Sequence, residues 1–160
     1  MKKRSGFSLL ELLIVVAIIL IIAAIAIPNL LRARIAANEA SAVGSVRTIN
    51  TAEIAYLSIY PTVGYASTLT TLGPAVGSPC VASSASACLI DSRLATGTKS
   101  GYSIGIANTS GTPTNRYDVI ASPAARNQTG TRYFCSLEDA VVRYSTGTIA
   151  SCTGTITALQ

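Results

Sequence analysis

Residues 1–31, MKKRSGFSLLELLIVVAIILIIAAIAIPNLL, decide how the chain is built. From Phe7 to Ile27 the run is apolar apart from Ser8 and Glu11, and 21 residues at about 1.5 Å each approach the roughly 30 Å hydrocarbon core of a bilayer. It is apolar on every face, and a remainder rich in Ser, Thr and Gly has too little apolar surface to wrap it. The segment therefore reads as a membrane-spanning helix, not as a buried core helix. A secretory signal carries a shorter apolar stretch, about 7–15 residues, and then a small-residue cleavage site. Here the small residues Ala23, Ala24 and Ala26 lie inside the run, so cutting there would leave a greasy new terminus. The cluster Lys2-Lys3-Arg4 stays cytoplasmic under the positive-inside rule, which sends the rest of the chain across the membrane.

Composition narrows the function. With 160 residues, 49% hydrophobic and 12% charged, one modest domain is expected beside the anchor. The mean hydropathy of +0.48 reflects the N-terminal block. The formal charge is +5, but three of the twelve basic residues are Lys2, Lys3 and Arg4. Nine basic residues against seven acidic ones remain, a balance of +2, so nucleic acid is a conceivable partner that net charge does not support. The absence of His removes the commonest general base and metal ligand. A hydrolase would have to pair Lys99, the single Lys outside the leader, with a Ser, and no enzymatic activity is expected.

Glu11 is the residue that an ordinary anchor does not need. An ionised carboxylate in hydrocarbon costs a few kcal/mol or more without a partner. The bland reading lets it snorkel at the interface. Cleavage before Phe7 would instead create an α-amino group about one helical turn away, or one on a neighbouring subunit within reach.

Lys2-Lys3-Arg4-Ser5-Gly6, then Phe7-Ser8-Leu9-Leu10-Glu11 and the run to Pro28, resembles the prepilin leader and first helix of type IV pilins and pseudopilins. The close match covers about residues 2 to 31. The resemblance implies cleavage after Gly6 by a prepilin peptidase and N-methylation of Phe7. It also implies that Glu11 pairs with a neighbour's N-terminus during assembly, and that Pro28 lies in a segment able to lose helical hydrogen bonds in the filament. Many members carry glycine where this chain has Leu20, so any melted stretch is expected to be shorter and centred nearer Pro28. Taken alone, Pro28 is expected to kink or locally break the helix.

Beyond Pro28 the sequence stays helix-compatible to about Ser58. Val43, Val46, Ile54 and Leu57 recur on one face, while Arg32, Arg34, Asn38, Glu39, Ser45, Arg47 and Glu53 bring polarity, so this half reads as amphipathic. Tyr56, Tyr60 and Tyr65 are expected to cover a core edge rather than carry charge. Residues 61 to 100, with Pro61, Pro74 and Pro79, read as a long irregular connection. Strands are expected at Gly101–Ala107, Arg116–Ser122, Thr131–Cys135 and Ala140–Tyr144. The expected fold is α+β, a long N-terminal helix whose C-terminal half lies on a small antiparallel sheet. Gly130 to Tyr144 also resembles the end of many pilin-like domains through Arg132, Phe134 and Arg143, although Leu137-Glu138-Asp139-Ala140 replaces the usual Asp-x-x-Gly turn.

Cys80, Cys88, Cys135 and Cys152 all lie in the part expected to be exported, where disulfides persist. Three pairings are open; the favoured one joins Cys80 to Cys88 in a small loop and Cys135 to Cys152 across the tail. Zinc is disfavoured by the missing His and C-x-x-C pair. Asp91, Asp118, Glu138 and Asp139 have no EF-hand spacing, so they read as solvated surface acids and not calcium ligands. No cofactor or metal is expected. Asn108-Thr109-Ser110 and Asn127-Gln128-Thr129 match the short glycosylation acceptor pattern.

The expected organisation is a leader at 1–6, an anchor and filament-core helix at 7–30 and a globular domain at 31–160. The function implied is a structural subunit, a major pilin. It would partner copies of itself, prepilin peptidase and the pilus assembly machinery, first in the inner membrane and then in an extracellular filament serving adhesion, twitching motility or DNA uptake. The alternatives are a type II secretion pseudopilin acting in the periplasm, disfavoured by the missing Trp of an Asp-Pro-Trp-Gly segment, or a minor pilin.

Overall fold

The computed structural model describes residues 8–74 and 79–159. The chain divides into two compact units between Arg34 and Ile35. Helix α1, Leu9–Ile59, is assigned without interruption. Its first part, residues 8–34, is exposed throughout except for half-buried Ala23. This part is long and apolar enough to cross a membrane, and none of its apolar window is buried. Of the kink or local break expected at Pro28, the break is not present: Pro28 lies inside α1, where the missing N–H leaves the carbonyl of Ala24 without its helical donor but the neighbouring turns persist.

The second unit, residues 35–159, is built on the remainder of α1. Two one-turn helices follow, α2 at Leu69–Leu72 and α3 at Ser92–Ala95. Then come β1 (Thr98–Lys99), β2 (Tyr102–Ser110), β3 (Arg116–Pro123), β4 (Tyr133–Ser136) and β5 (Arg143–Ser145). They form one antiparallel sheet in the order β1-β2-β3-β4-β5. Simple up-and-down order follows from short connections, which suit antiparallel neighbours. Tyr117, Val119 and Ala121 alternate along β3, and with Tyr102, Ile104 and Phe134 they are buried in one cluster with Ala42, Val46, Ile49 and Tyr56 of α1. The fold is thus α+β, a helix laid on an antiparallel sheet.

The buried face of α1 is rotated from the expected stripe. Val46 is buried, but Ile54 is 52% exposed, and the residues facing inward are Glu39, Ala42, Ser45, Val46, Ile49, Asn50, Ala52, Glu53 and Tyr56. Four polar side chains on that face would be costly without partners. Asn50 Nδ2 donates to Ser136 Oγ at 2.8 Å, and Tyr117 donates its hydroxyl proton to Asn50 Oδ1 at 3.4 Å. Ser45 Oγ donates to the Ser41 carbonyl, and Glu39 is held by Thr131 and Arg132. Glu39, Ser45 and Glu53 are therefore core residues and not the solvated polarity that a simple amphipathic pattern assigns them.

Residues 61 to 100 also differ from the irregular connection expected. Thr68 caps α2 by accepting from Thr71 N–H, and Asp91 caps α3 by accepting from Leu94 N–H at 2.9 Å. Ala66, Leu69, Leu72, Ala87, Ile90 and Leu94 carry the segment into the core. Gly64 has φ +91 and sits against the backbone of Thr114. Tyr65 N–H donates to the Thr114 carbonyl and Thr114 N–H to that of Val63. That close approach has no room for a Cβ.

Strand β1 was not anticipated, because two residues show no period. Strand β4 begins at Tyr133 rather than Thr131 because Thr131 and Arg132 give their N–H groups to Glu39 instead of to a ladder. Strand β5 begins at Arg143 because Ala140, at φ +58, belongs to the preceding turn.

Glu53 is fully buried; Oε2 accepts from Ala66 N–H at 2.8 Å, and Oε1 has no partner among the described residues. Burial outweighs the single hydrogen bond and pushes its pKa from 4.5 up to about 7. The folded chain therefore keeps a proton that the unfolded chain has already lost, so unfolding becomes easier as pH rises from 4.5 to 7 and levels above that. We expect stability of the full chain in detergent to fall by up to about 3 kcal/mol across this window, read from urea midpoints. Glu53→Gln, which keeps an acceptor for Ala66, should flatten the profile; an equally steep profile in that variant would assign the titration elsewhere.

Candidate functional site

The first turn of α1 is closed by its own sequence. Ser8-Leu9-Leu10-Glu11 has the S-x-x-E spacing of a capping box, and Ser8 N–H donates to Glu11 Oε2 at 3.3 Å. Glu11 also lies in the first turn, where the helix dipole favours a negative charge. The carboxylate is exposed, and among the described residues its second oxygen has no hydrogen-bond partner. This local capping role was legible as S-x-x-E and is additional to the pairing role inferred from cost in a membrane. Gly6 and Phe7, the expected cleavage and methylation positions, lie outside the described residues. Around Glu11, Leu9, Leu10, Leu12 and Leu13 are all more than half exposed, as are most larger residues to Leu30. A contiguous apolar surface of this length in water is an interaction or membrane surface.

The domain carries its cysteines as two bonds, Cys80–Cys88 and Cys135–Cys152. The second ties the tail to β4 and is reinforced by Asp118. This carboxylate, 5% exposed, accepts from Cys152 N–H at 2.8 Å, from the Ser151 hydroxyl and from Asn108 Nδ2. Asp118 is thus a buried tail clamp, contrary to the surface role expected for it. Asn108, in one of the short acceptor patterns, spends its amide on this clamp. The tail continues along β5, with Tyr144 N–H donating to the Thr157 carbonyl and Leu159 N–H to that of Val142.

The other acids are also engaged. Asp91 faces Lys99 at 3.5 Å, and Glu138 lies 3.7 Å from Arg116. Asp139 accepts from Arg143 through both oxygens, and that pairing holds its carboxyl below the ordinary range. No group of three or more potential metal ligands occurs among the described residues. The tyrosines pack in two separate pairs, Tyr56 with Tyr60 at 4.9 Å and Tyr65 with Tyr117 at 4.7 Å.

The described residues thus form a capped, exposed apolar helical segment and a disulfide-tied α+β unit. Residues 1–27 match the prokaryotic N-terminal methylation motif. Over 39 residues the chain is 62% identical to the type IV wide pilus major component PilA4 of Thermus thermophilus, which covers 24% of this chain and 30% of that one. The chain therefore matches less than a third of that relative's length. No solved structure matches it. Its N-terminal segment is thus similar to that of a type IV pilin, and the similarity stops short of the domain that follows.

The turn before β5 is where the chain departs from the resembling pattern. Ala140 N–H donates to the Leu137 carbonyl at 2.9 Å, and Ala140 takes φ +58 where that pattern has glycine. A left-handed conformation costs an L-residue about 1–2 kcal/mol, part of which glycine returns through its looser unfolded chain. Ala140→Gly should stabilise the chain by about 0.5–1 kcal/mol and Ala140→Val should destabilise it, read as opposite shifts in the denaturation midpoint. Shifts of the same sign would show that φ at this position is not the constraint.

Proposed function

We propose that the chain is a major structural subunit of a type IV pilus-like filament, cut after Gly6, N-methylated on Phe7 and assembled from the inner membrane. The observation that carries the reading is the exposed apolar half of α1 placed directly behind a prepilin motif. Such a helix has two stable settings, lipid before assembly and a bundle of identical helices afterwards. The relative with 62% identity in this region is named as a pilus major component, which favours the shaft over a tip or secretion role. Glu11 supplies direction: its free oxygen accepts a charge-assisted hydrogen bond from a neighbour's new α-amino group, which removes the cost of a lone carboxylate.

In the filament the segment around Pro28 is where helical hydrogen bonding is weakest, because the Ala24 carbonyl lacks a donor. Leu20 keeps the preceding turns intact. The domain, residues 35–159, forms the outer coat, and its disulfides resist unfolding after export.

The test is electron microscopy of cells bearing the wild-type chain or Glu11→Ala, with the N-terminal peptide of purified filaments identified by mass. Long surface filaments beginning at methylated Phe7 are expected. The variant should assemble about tenfold less or worse, as the loss of a few kcal/mol implies. Short periplasmic assemblies would assign the chain to secretion, and unchanged filaments from Glu11→Ala would remove the charge pairing.

A further inference from the structure

Two arginines, Arg32 and Arg34, sit immediately beyond the apolar run. Arg32 and Arg34 are exposed, and among the described residues neither has an ion-pair or hydrogen-bond partner. Among the other described basic residues, Arg47 and Arg93 are likewise exposed without a side-chain partner, but they lie in the second unit and not at the end of the apolar run, and the remaining five are engaged. Lys99, Arg116, Arg132 and Arg143 each face a carboxylate, and Arg126 donates to the Thr146 carbonyl. Nor is a spare acid available in the domain, since Glu53 and Asp118 are buried and the other carboxylates are paired. Glu11 is the exposed acid left over, and it lies at the far end of the same helical segment.

Position supplies the second argument. Leu9 to Leu31 is 23 residues of α1, about 34 Å of helix, which matches a hydrocarbon core of roughly 30 Å with slight tilt. With Leu9 at the cytoplasmic boundary, Arg32 and Arg34 emerge at the headgroup level of the opposite leaflet. Two residues apart on a helix means about 200° of rotation, so the guanidinium groups leave on opposite sides and cannot share one ligand. Each is a rigid fork of donors suited to phosphate oxygens.

We propose that, before assembly, Arg32 and Arg34 each bind the phosphate of an anionic phospholipid in the extracytoplasmic leaflet, fixing the depth of the helix in the membrane. The proposal rests on the anchor reading above. A net-anionic headgroup is selected over a zwitterionic one because the choline of the latter brings a second cation beside the guanidinium that holds the phosphate. The same contacts must be released when the helix leaves lipid for the filament.

The experiment uses the full chain reconstituted into phosphatidylcholine vesicles containing about one fifth phosphatidylglycerol. Retention after alkaline extraction reports insertion, and native mass spectrometry of gently solubilised chain reports the bound lipid. Wild type should carry up to two phosphatidylglycerol molecules, enriched about fivefold per arginine over the bulk mixture. Arg32→Ala/Arg34→Ala should stay inserted and lose the enrichment, whereas Arg47→Ala, further along the helix, should keep it. Equal enrichment in the double variant, or none in inserted wild type, overturns the lipid site and leaves the anchor standing. Release of wild type by alkaline extraction overturns both.

Discussion

Glu39 is the first fully buried residue of α1 among those described, and it is a carboxylate. Burial by itself would raise its pKa, but Thr131 N–H and hydroxyl, the Arg132 side chain and Arg132 N–H together hold it below the ordinary value. Such a group stabilises the fold only while charged, so its contribution is present at neutral pH and is lost on acidification below the normal carboxylate range. The arrangement fixes more than one element. Arg132 is oriented by Glu39 at 2.7 Å and lies over the Phe134 and Tyr144 rings at 5.4 and 5.5 Å, so the helix, the approach to β4 and the face of β5 are set together. Removing one partner would strand a buried charge or an unpaired donor set, which costs more than the pair contributes.

Four of the five strands and the helix's length were legible because they rest on periodicity and composition. Tyr102 and Ile104, or Tyr117, Val119 and Ala121, alternate wherever one side of a strand is buried. The inner face of α1 was not legible, because Asn50, Glu39 and one oxygen of Glu53 find their partners in groups about 13 to 93 residues away, such as Ala66, Arg132 and Ser136. A pattern that sends polar residues outward sees none of those donors. Residues 61–100 hid their order for a related reason: Ala66, Ala87 and Ala95 can pack because they are small, and a composition of Ala, Ser, Thr and Gly looks the same in a packed loop as in a loose one. The N-terminal motif is the opposite case. There the resemblance that singles out Gly6, Phe7 and Glu11 rests on one contiguous stretch of sequence and needs no distant partner to be seen.

The apolar half of α1 also limits what hydrophobicity is able to explain. Leucine and isoleucine are as well solvated by lipid tails as by other helices, so their transfer between the two is close to neutral and supplies no direction. On the proposed reading the preference for a filament must therefore lie in packing and in the polar groups along that segment. There are few: Glu11 with one oxygen committed to its own first turn, the Ala24 carbonyl released by Pro28, and the arginines at 32 and 34. Each has a different partner in lipid and in an assembly of copies. Glu11 gains a counter-charge on assembly and the arginines exchange headgroups for whatever a neighbour presents, so the balance between membrane and filament is set by four residues while the twenty or so around them keep both states available.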